Sequence, residues 1–331
     1  MTSSTSSSEK SVLTAALPDR KSQLQQLKKL VLRILLPVSV LSVLFCFGLD
    51  WVIQTQLIRQ TSTHGTNKLF RIQEAHPDEI PIFGSSRAQC SYIPDSLGRN
   101  FYNYGINGIG FAVMDIFLKQ ELAHQNKKTP IILNFDYQMF GYQMGDLNSY
   151  LPHSEIPEVK DLLIRNETYS NHLRIPGIRY YGAIDAFIKD RLNERLQLTK
   201  AINKGAAIEK AVTAPAQMAV LVQKRRDSTE RFDPRPELVD TLCKRIEMHP
   251  NRMFYIVVAP YHAAYYASIP DIDQKKAKYT MDRLDAFPNA KLINFDTREW
   301  PDSLFFNTSH VSQLGAIKMS QMLKDSLGSE K

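Results

Sequence analysis

The hydrophobic pattern begins with one long apolar run near the N-terminus. From Ile34 to Leu49 the chain carries no charge, and with its flanking residues the run covers 30–53. This length approaches the roughly 20 residues that a helix needs to cross the hydrocarbon core of a membrane. A cleaved signal peptide and a buried core helix are the alternatives. The long polar segment before the run, and the lack of a small-x-small cleavage site after it, favour an uncleaved transmembrane anchor.

The charges beside this run predict its orientation. Lys21, Lys28, Lys29 and Arg33 precede its uncharged part, whereas Asp50 follows it. Because basic residues stay on the cytoplasmic side, the N-terminus is expected in the cytoplasm and the rest of the chain outside. The sequence thus predicts a single-pass protein of the inner (cytoplasmic) membrane. Its partner is the lipid bilayer, and its main domain lies on the periplasmic or cell-surface side of a bacterium.

The segments on either side of the anchor are polar. Residues 1–29 are rich in Ser, Thr and charge and show no sustained apolar period, so they are predicted to form a disordered cytoplasmic tail. Residues 54–78 are predicted to form a polar connector with some helical character. The main extracytoplasmic domain then covers 79–331.

Within that domain, short apolar segments alternate with stretches of helical periodicity. The apolar segments show little polar alternation, which is typical of parallel strands covered by helices on both faces. The sequence therefore predicts an α/β domain of three layers, with its active-site loops at the carboxyl ends of the strands. The predicted strands are Glu79–Phe83, Asn100–Tyr104, Ile131–Asp136, Arg252–Pro260 and Lys291–Asp296.

The middle of the domain, at about 141–233, has a different pattern. It is charged and largely helical in its periodicity, and the best helix candidates are Asp185–Leu198 and Ala206–Lys224. We interpret it as a helical insertion placed over the domain, without a separate catalytic function.

The charge balance changes the picture only slightly. The chain has 41 Lys and Arg against 34 Asp and Glu, a net charge of +7, and much of the excess lies near the N-terminus. No basic run with interleaved aromatic residues follows, so a membrane surface is favoured and a nucleic-acid partner is not expected. No metal-ligand spacing is present either, so neither a metal nor another cofactor is predicted.

Two of the predicted loops carry candidate catalytic side chains. The first strand leads into Gly84-Ser85-Ser86-Arg87, and His310 lies after the last strand and before a helix. Because both loops lie at the same edge of the sheet, a serine nucleophile and a histidine base could meet there. Each signal is weak alone, since a Gly-Ser-Ser turn can simply cap a helix and a lone histidine is more often structural.

Three sequence blocks in this order resemble the SGNH (GDSL-like) hydrolase superfamily, over about 80–327. They are Gly84-Ser85-Ser86, the run from Asn103 to Gly108, and Asn307-Thr308-Ser309-His310 followed by Leu314-Gly315-Ala316. The resemblance implies a flavodoxin-like sheet, Ser86 as nucleophile and His310 as general base. It also implies that the Gly108 N–H helps to form the oxyanion hole.

Two positions depart from the pattern of that superfamily. Its Gly-x-Asn-Asp block corresponds here to Leu133-Asn134-Phe135-Asp136, which has no glycine. Asn134 is the candidate oxyanion donor, with Asp136 and Gln138 as alternatives for that site. The acid position of the triad holds Asn307, whose amide can fix a histidine tautomer but cannot stabilise imidazolium by charge.

Asn307 leaves three possibilities for catalysis. The site is a Ser–His dyad, or Asp302 or Asp296 supplies the acid, or the enzyme is weakened. Two further side chains are candidates for substrate binding. Arg87 can pair with an anionic substrate group or form a structural ion pair, and His262, after the strongest strand, can contact substrate or pack.

The GSSR turn, the anchor and the insertion are similar to a membrane-anchored subset of the superfamily. That subset includes the D-alanine transfer protein of teichoic-acid modification and the periplasmic O-acetyltransferases of exopolysaccharide export. The resemblance implies hydrolysis or transfer of acyl esters on envelope glycans or lipids, with a multi-pass, acyl-carrying membrane protein as partner. The alternative is a catalytically weakened binding or scaffold module in an envelope-polymer modification or export complex.

Overall fold

The computed structural model describes residues 20–98, 100–141, 147–168, 175–211, 213–227, 232–296 and 300–328. Its first feature is a long helix, in which α1 (Arg20–Leu30) passes through π-type turns into α2 (Leu36–Val52) and on to Ile58. The part from Gln23 to Ile58 has a mean hydropathy of 2.5 over its most apolar window, and is long and apolar enough to cross a membrane.

The predicted disordered tail is only partly within the described residues. Positions 1–19 lie outside them, whereas 20–29 belong to α1 and are helical, contrary to the prediction. The physical reason is that nucleation is the costly step of helix formation. The apolar helix supplies the nucleus, and the polar residues before it extend that helix.

The predicted connector, 54–78, is in large part built into the domain. Ile53 and Ile58, at the end of the long helix, are buried against the insertion. Helix α3 (Gly65–Gln73) packs Leu69 into the main core. The helical character predicted for this segment is present in α3. The segment also packs on the domain, because a few apolar positions in a polar sequence are enough to bury one face of a short helix.

All five predicted strands are confirmed, with slightly shorter ends. The strands of the structure are β1 (Ile80–Phe83), β2 (Phe101–Asn103), β3 (Ile131–Asn134), β4 (Lys200–Asn203), β5 (Ala206–Glu209), β6 (Phe254–Val258) and β7 (Ala290–Asn294). The five predicted strands form one parallel sheet in the order β2-β1-β3-β6-β7, and β4 and β5 form a separate hairpin. The order of the five parallel strands is that of an open doubly wound sheet. In such a sheet ligands bind beyond the carboxyl ends of the strands, where the order reverses, here between β1 and β3.

Helices cover both faces of this sheet, so that it has two hydrophobic cores. In β3, Ile131 and Leu133 belong to one core and Ile132 to the other. The remaining helices are α4 (Ser86–Ser91), α5 (Pro94–Leu97), α6 (Phe111–Leu122), α7 (Pro157–Arg165), α8 (Ile184–Leu196), α9 (Pro215–Arg226), α10 (Pro236–Met248), α11 (Ala263–Ala267), α12 (Asp271–Asp285) and α13 (Gln313–Gly328). Helices α6, α10 and α12 contribute to the first core, and α4 and α13 to the second.

The insertion is less helical than predicted. Helix α8 confirms the first candidate, but the helix predicted over 206–224 is wrong in its first part, which is strand β5, and α9 begins only at Pro215. The reason is the turn at Lys204-Gly205, where both residues have positive φ (40° and 85°). Such a two-residue turn matches the twist of a hairpin. The turn also docks on the main sheet, since the Asn103 N–H donates to the Lys204 carbonyl at 3.0 Å.

Candidate active site

The turn after β1 places a serine at the carboxyl edge of the sheet. Gly84 has a φ of +152°, and a Cβ there would lie only 2.6 Å from the Ala88 Cβ. Only glycine accepts that backbone conformation and that close approach. Ser85 then caps the short helix α4 with its side chain, which makes Ser86 the first residue of the helix.

The structure brings the predicted nucleophile and base together. The Nε2 atom of His310 lies 2.8 Å from the Oγ atom of Ser86. His310 belongs to the loop before α13, and the bridge between Phe305 and Val311 closes this loop. The distance is that of a nucleophile–base hydrogen bond.

Asn307 lies on the other side of the imidazole. Its Oδ1 atom is 3.1 Å from His310 Nδ1 and accepts the backbone N–H groups of Ser309 at 2.9 Å and His310 at 2.8 Å. These two donors determine which amide atom faces the ring. The Ser309 hydroxyl is also 3.1 Å from Nδ1, and it donates to the same Asn307 oxygen, so both oxygens can accept from Nδ1. This arrangement favours the tautomer with its hydrogen on Nδ1, in which Nε2 accepts the Ser86 hydroxyl.

The two alternative acids lie elsewhere. An oxygen of Asp302 is 3.0 Å from His262 Nε2. Asp296 accepts the Tyr261 N–H at 2.8 Å, and burial raises its pKa. Among the described residues, neither carboxylate makes a hydrogen bond to His310. Asn307 therefore occupies the position that an acid holds in a triad.

His310 is neutral at ordinary pH. Burial lowers its pKa to about 4, and the positive charges of Arg87 and Lys200 contribute to this shift. A neutral imidazole can accept the Ser86 proton, but among the described residues no carboxylate makes a hydrogen bond to the imidazolium that forms. The site therefore has the geometry of a triad without its negative charge.

A cavity of about 260 Å³ lies in front of Ser86 and His310. Gly108 lines it, with a φ of +73° that favours glycine, and so does Gln138. Met139 contributes an apolar surface. The cavity thus brings together Ser86, His310 and the backbone turn at Gly108.

Asn134 does not take the place that the sequence predicted for it. Its side chain is fully buried, donates to Asp136 at 2.8 Å and accepts the Tyr92 hydroxyl at 2.6 Å. It does not line the cavity, whereas both alternatives, Asp136 and Gln138, do. A carboxylate only accepts hydrogen bonds, so Gln138 is the side chain that can donate to an oxyanion.

Arg87 makes the structural ion pair that the sequence analysis gave as one alternative, and it also lines the cavity, so its predicted substrate contact stays a prediction. The side chain is buried and makes an ion pair with Asp136 at 2.9 Å. It also donates to the carbonyl groups of Ala259 at 2.6 Å, Pro260 at 2.9 Å and Ser309 at 3.0 Å. These bonds use four of the five N–H groups of a guanidinium, and they join the ends of β3 and β6 to the loop of His310.

We expect Arg87→Ala to lower the free energy of unfolding by about 3–5 kcal/mol, because it leaves a buried carboxylate unpaired. Thermal and denaturant unfolding of the full chain in detergent would measure the loss. Arg283→Ala is the matched control, since it breaks a more exposed ion pair with Asp240 and should cost at most about 1 kcal/mol. Equal losses in the two variants would contradict this structural role of Arg87.

His262 has a packing role in the structure. Its Nδ1 atom accepts the Ala264 N–H at 3.1 Å and caps α11, and its ring packs edge-on against Phe305. Its Nε2 atom is directed to Asp302. His262 does not line the cavity, so the structure does not place it where the predicted contact with substrate would occur.

Two residues support the site in roles that the sequence did not predict. The buried Asn103 side chain donates to the carbonyl of Ala88 at 2.8 Å and accepts the Gly105 N–H at 2.9 Å, so it joins the Ser86 turn to the Gly108 loop. The buried Lys68 side chain donates to the carbonyl of Gly105. Burial lowers the pKa of the Lys68 amine to about 7. Asn103 begins the second block of the family resemblance, whereas the only signal for Lys68 was a polar residue in an apolar context.

Comparisons with known proteins add little to this geometry. No protein-family model matches the chain, and no curated protein matches it. Among solved structures, a chain from Streptococcus pneumonia described as a "putative platelet activating factor" is similar, with 12% sequence identity and a TM-score of 0.40. The match covers 84% of this chain and 97% of that chain. The argument for a function therefore rests on the site itself.

Proposed function

We propose that this protein is a membrane-anchored serine hydrolase or O-acyltransferase of the SGNH type. It acts outside the cytoplasm on acyl esters of cell-envelope glycans or lipids. The observation that carries the proposal is the 2.8 Å contact between Ser86 Oγ and His310 Nε2, in a cavity that Gly108 also lines.

The proposed reaction has two halves. His310 Nε2 accepts the Ser86 proton while Oγ attacks the acyl carbonyl, and the backbone N–H groups of Ser86 and Gly108, with the Gln138 amide, hold the oxyanion. The intermediate then breaks the ester bond, and His310 returns the proton to the departing oxygen. Water or a sugar hydroxyl attacks the acyl-enzyme, again with His310 as base, and releases Ser86.

The position of the site in the fold supports the SGNH type. The nucleophile follows β1, the Asn103–Gly108 block follows β2, and the base follows β7 and precedes α13. These positions are those that the resemblance implied. The two departures, at Asn134 and Asn307, concern the oxyanion donor and the charge on the base, not the nucleophile.

The long helix supports a permanent anchor, although a signal sequence would pass the same test of length and apolar character. Asp50 forms an ion pair with Arg179, whose NH2 group lies 2.8 Å away. Ile53 and Ile58 are buried against the domain. The helix thus continues unbroken into the fold. With the basic residues before it, this favours an N-terminus in the cytoplasm. The proposed partner, an acyl-carrying multi-pass membrane protein, rests on the family resemblance alone.

The second candidate function is a binding or scaffold module of the same fold. Asn307 favours it, because a triad without its carboxylate loses much of its rate. The two functions differ in whether Ser86 reacts covalently.

A fluorophosphonate probe tests the proposal on the full chain in detergent. We expect one adduct, located by mass spectrometry on the peptide that contains Ser86 and absent from heat-denatured protein. The adduct should disappear in Ser86→Ala and persist in Ser303→Ala, which changes an exposed serine. No adduct on the native chain, together with measurable binding of an acylated glycan, would favour the scaffold.

A further inference from the structure

Helix α8 presents a row of large apolar side chains that the protein itself does not cover. Ile184, Ile188, Leu192 and Leu196 follow one another at intervals of four residues, and Leu192 and Leu196 are 51% and 58% exposed. Intervals of four place them along one face. Phe187, on another face, is buried against the domain. Only Phe187 and Glu194 of this helix are buried, so its apolar row is left uncovered, and a continuous exposed apolar face indicates a contact surface.

This surface joins the membrane helix directly. The backbone of Gly177 packs so closely on α2 that an added Cβ would lie 2.7 Å from the Cys46 carbonyl oxygen. Its N–H donates to Asp50 at 2.8 Å, and Arg179 pairs with the same carboxylate. The segment before α8 is thus fixed beside the last turns of the apolar helix.

The depth of this contact can be derived from the helix itself. Asp50 and Trp51 end the uncharged run, and tryptophan at that place is typical of the membrane–water interface. Cys46 lies four residues deeper, or about 6 Å at 1.5 Å per residue. Ile175 and Ile178, on either side of Gly177, are both more than 40% exposed. This depth is that of Ile175 and Ile178, and it agrees with the roughly 5–10 Å by which interfacial segments bury their apolar face. Helix α8 lies farther out along the anchor, since Phe187 packs with Ile53 and Ile58 and Arg191 donates to the Gln60 carbonyl at 2.9 Å.

The polar side chains of α8 suit the same surroundings. Lys189 and Arg195 are exposed and lie beside the apolar face, and the exposed acidic side chain of the helix, Asp185, is in its first turn. Their long stems can cover apolar surface while the charges reach anionic headgroups. In water the apolar side chains would stay without contacts. A phospholipid surface offers acyl chains to the apolar side chains and headgroups to the basic ones.

We propose that residues 175–198 form a second membrane contact, in which α8 lies on the outer surface of the bilayer that the N-terminal helix spans. In this proposal lipid covers the exposed apolar face of α8. This inference rests on the proposed membrane span and is independent of the chemistry at Ser86.

The contact bears on how a substrate would arrive. Asp190 and Glu194, on the inner side of α8, line a cavity of about 310 Å³. Ile109 lines both this cavity and the one that holds Ser86. With α8 on the membrane, the larger cavity lies beside the headgroups, which fits a substrate that is itself attached to a lipid.

The test uses the wild-type full chain in vesicles of equal parts phosphatidylcholine and phosphatidylglycerol, with a diazirine on some acyl chains. After illumination, mass spectrometry locates the adducts. We expect adducts on α2 and on α8, and few on α12. Helix α12 is the matched control, because its Ile272 and Tyr279 are 53% and 66% exposed but lie far along the chain from the anchor. In Ile188→Ser/Leu192→Ser, the α8 adducts should fall to the α12 level.

Other outcomes separate the possible errors. Adducts on α2 with no excess on α8 over α12 would overturn the membrane contact and leave the anchor in place. An absence of adducts on α2 would overturn the anchor as well. Protection of α8 from a water-soluble carbene without lipid adducts would show that a protein, either another chain or a second copy, covers it. None of these results depends on activity, so they do not test the proposed reaction.

Discussion

Ser86→Ala and His310→Ala should each reduce turnover of an acyl ester by more than about 10²-fold, and the double variant should lose no more than either one. The two side chains act as one unit, so removing the second costs little once the first is gone. Initial rates on a soluble acetyl ester, with the full chain in detergent, would measure the loss. Ser303→Ala, at an exposed serine, should leave the rate unchanged.

The expected size of this loss follows from Asn307. Removal of a complete triad costs on the order of 10⁶-fold, and a serine protease with Asn in place of Asp loses about 10⁴-fold because its histidine has the wrong tautomer. Here the Asn307 oxygen faces Nδ1 and holds the productive tautomer. The wild-type rate should therefore exceed the rate of either variant by more than about 10²-fold and by less than about 10⁶-fold. Losses that multiply in the double variant would show that the two residues do not cooperate.

The sheet could be predicted because its inner strands, β1, β3 and β6, are buried on both faces. Each of the five strands is short and rich in apolar residues, so its position needs no knowledge of its partners. The same reasoning failed at the Lys204-Gly205 turn. Helical and hairpin patterns are hard to distinguish in a short segment of small residues such as Ala206–Glu209, and the docking of the hairpin on β2 decides between them.

The parts of the site that depend on the order of the sequence blocks could be predicted. The parts that depend on the direction in which a side chain points could not. Ser86 and His310 meet because both follow strands of one parallel sheet. Asn134 was misplaced because neighbouring residues of a strand point to opposite faces, and the sequence does not tell which face adjoins the cavity. The bonds of Arg87 go mostly to backbone carbonyl groups of distant loops, which leave no trace in the sequence.

Asn307→Asp should increase the rate of ester hydrolysis by about 10- to 100-fold, the reverse of the usual effect of changing a catalytic residue. The new carboxylate accepts the same two backbone N–H groups that now hold the amide oxygen, so the position of the ring is kept. The gain comes from the charge, which stabilises the imidazolium as Ser86 attacks. It stays below the 10⁴-fold effect known for such a change, because the tautomer is already correct.

The pH dependence separates this explanation from a general change in structure. In the wild type, burial holds the His310 pKa at about 4, so the base is neutral above that pH and activity is lost only as the pH falls through it. A carboxylate at hydrogen-bond distance favours the charged ring and raises its pKa by about 1–3 units. The acid limb of kcat/KM should therefore move upward in Asn307→Asp, while Asn307→Ala, which removes the oxygen, should lose rate without such a shift. An Asn307→Asp variant that is slower than the wild type, with an unchanged acid limb, would mean that His310 does not act as the base for Ser86.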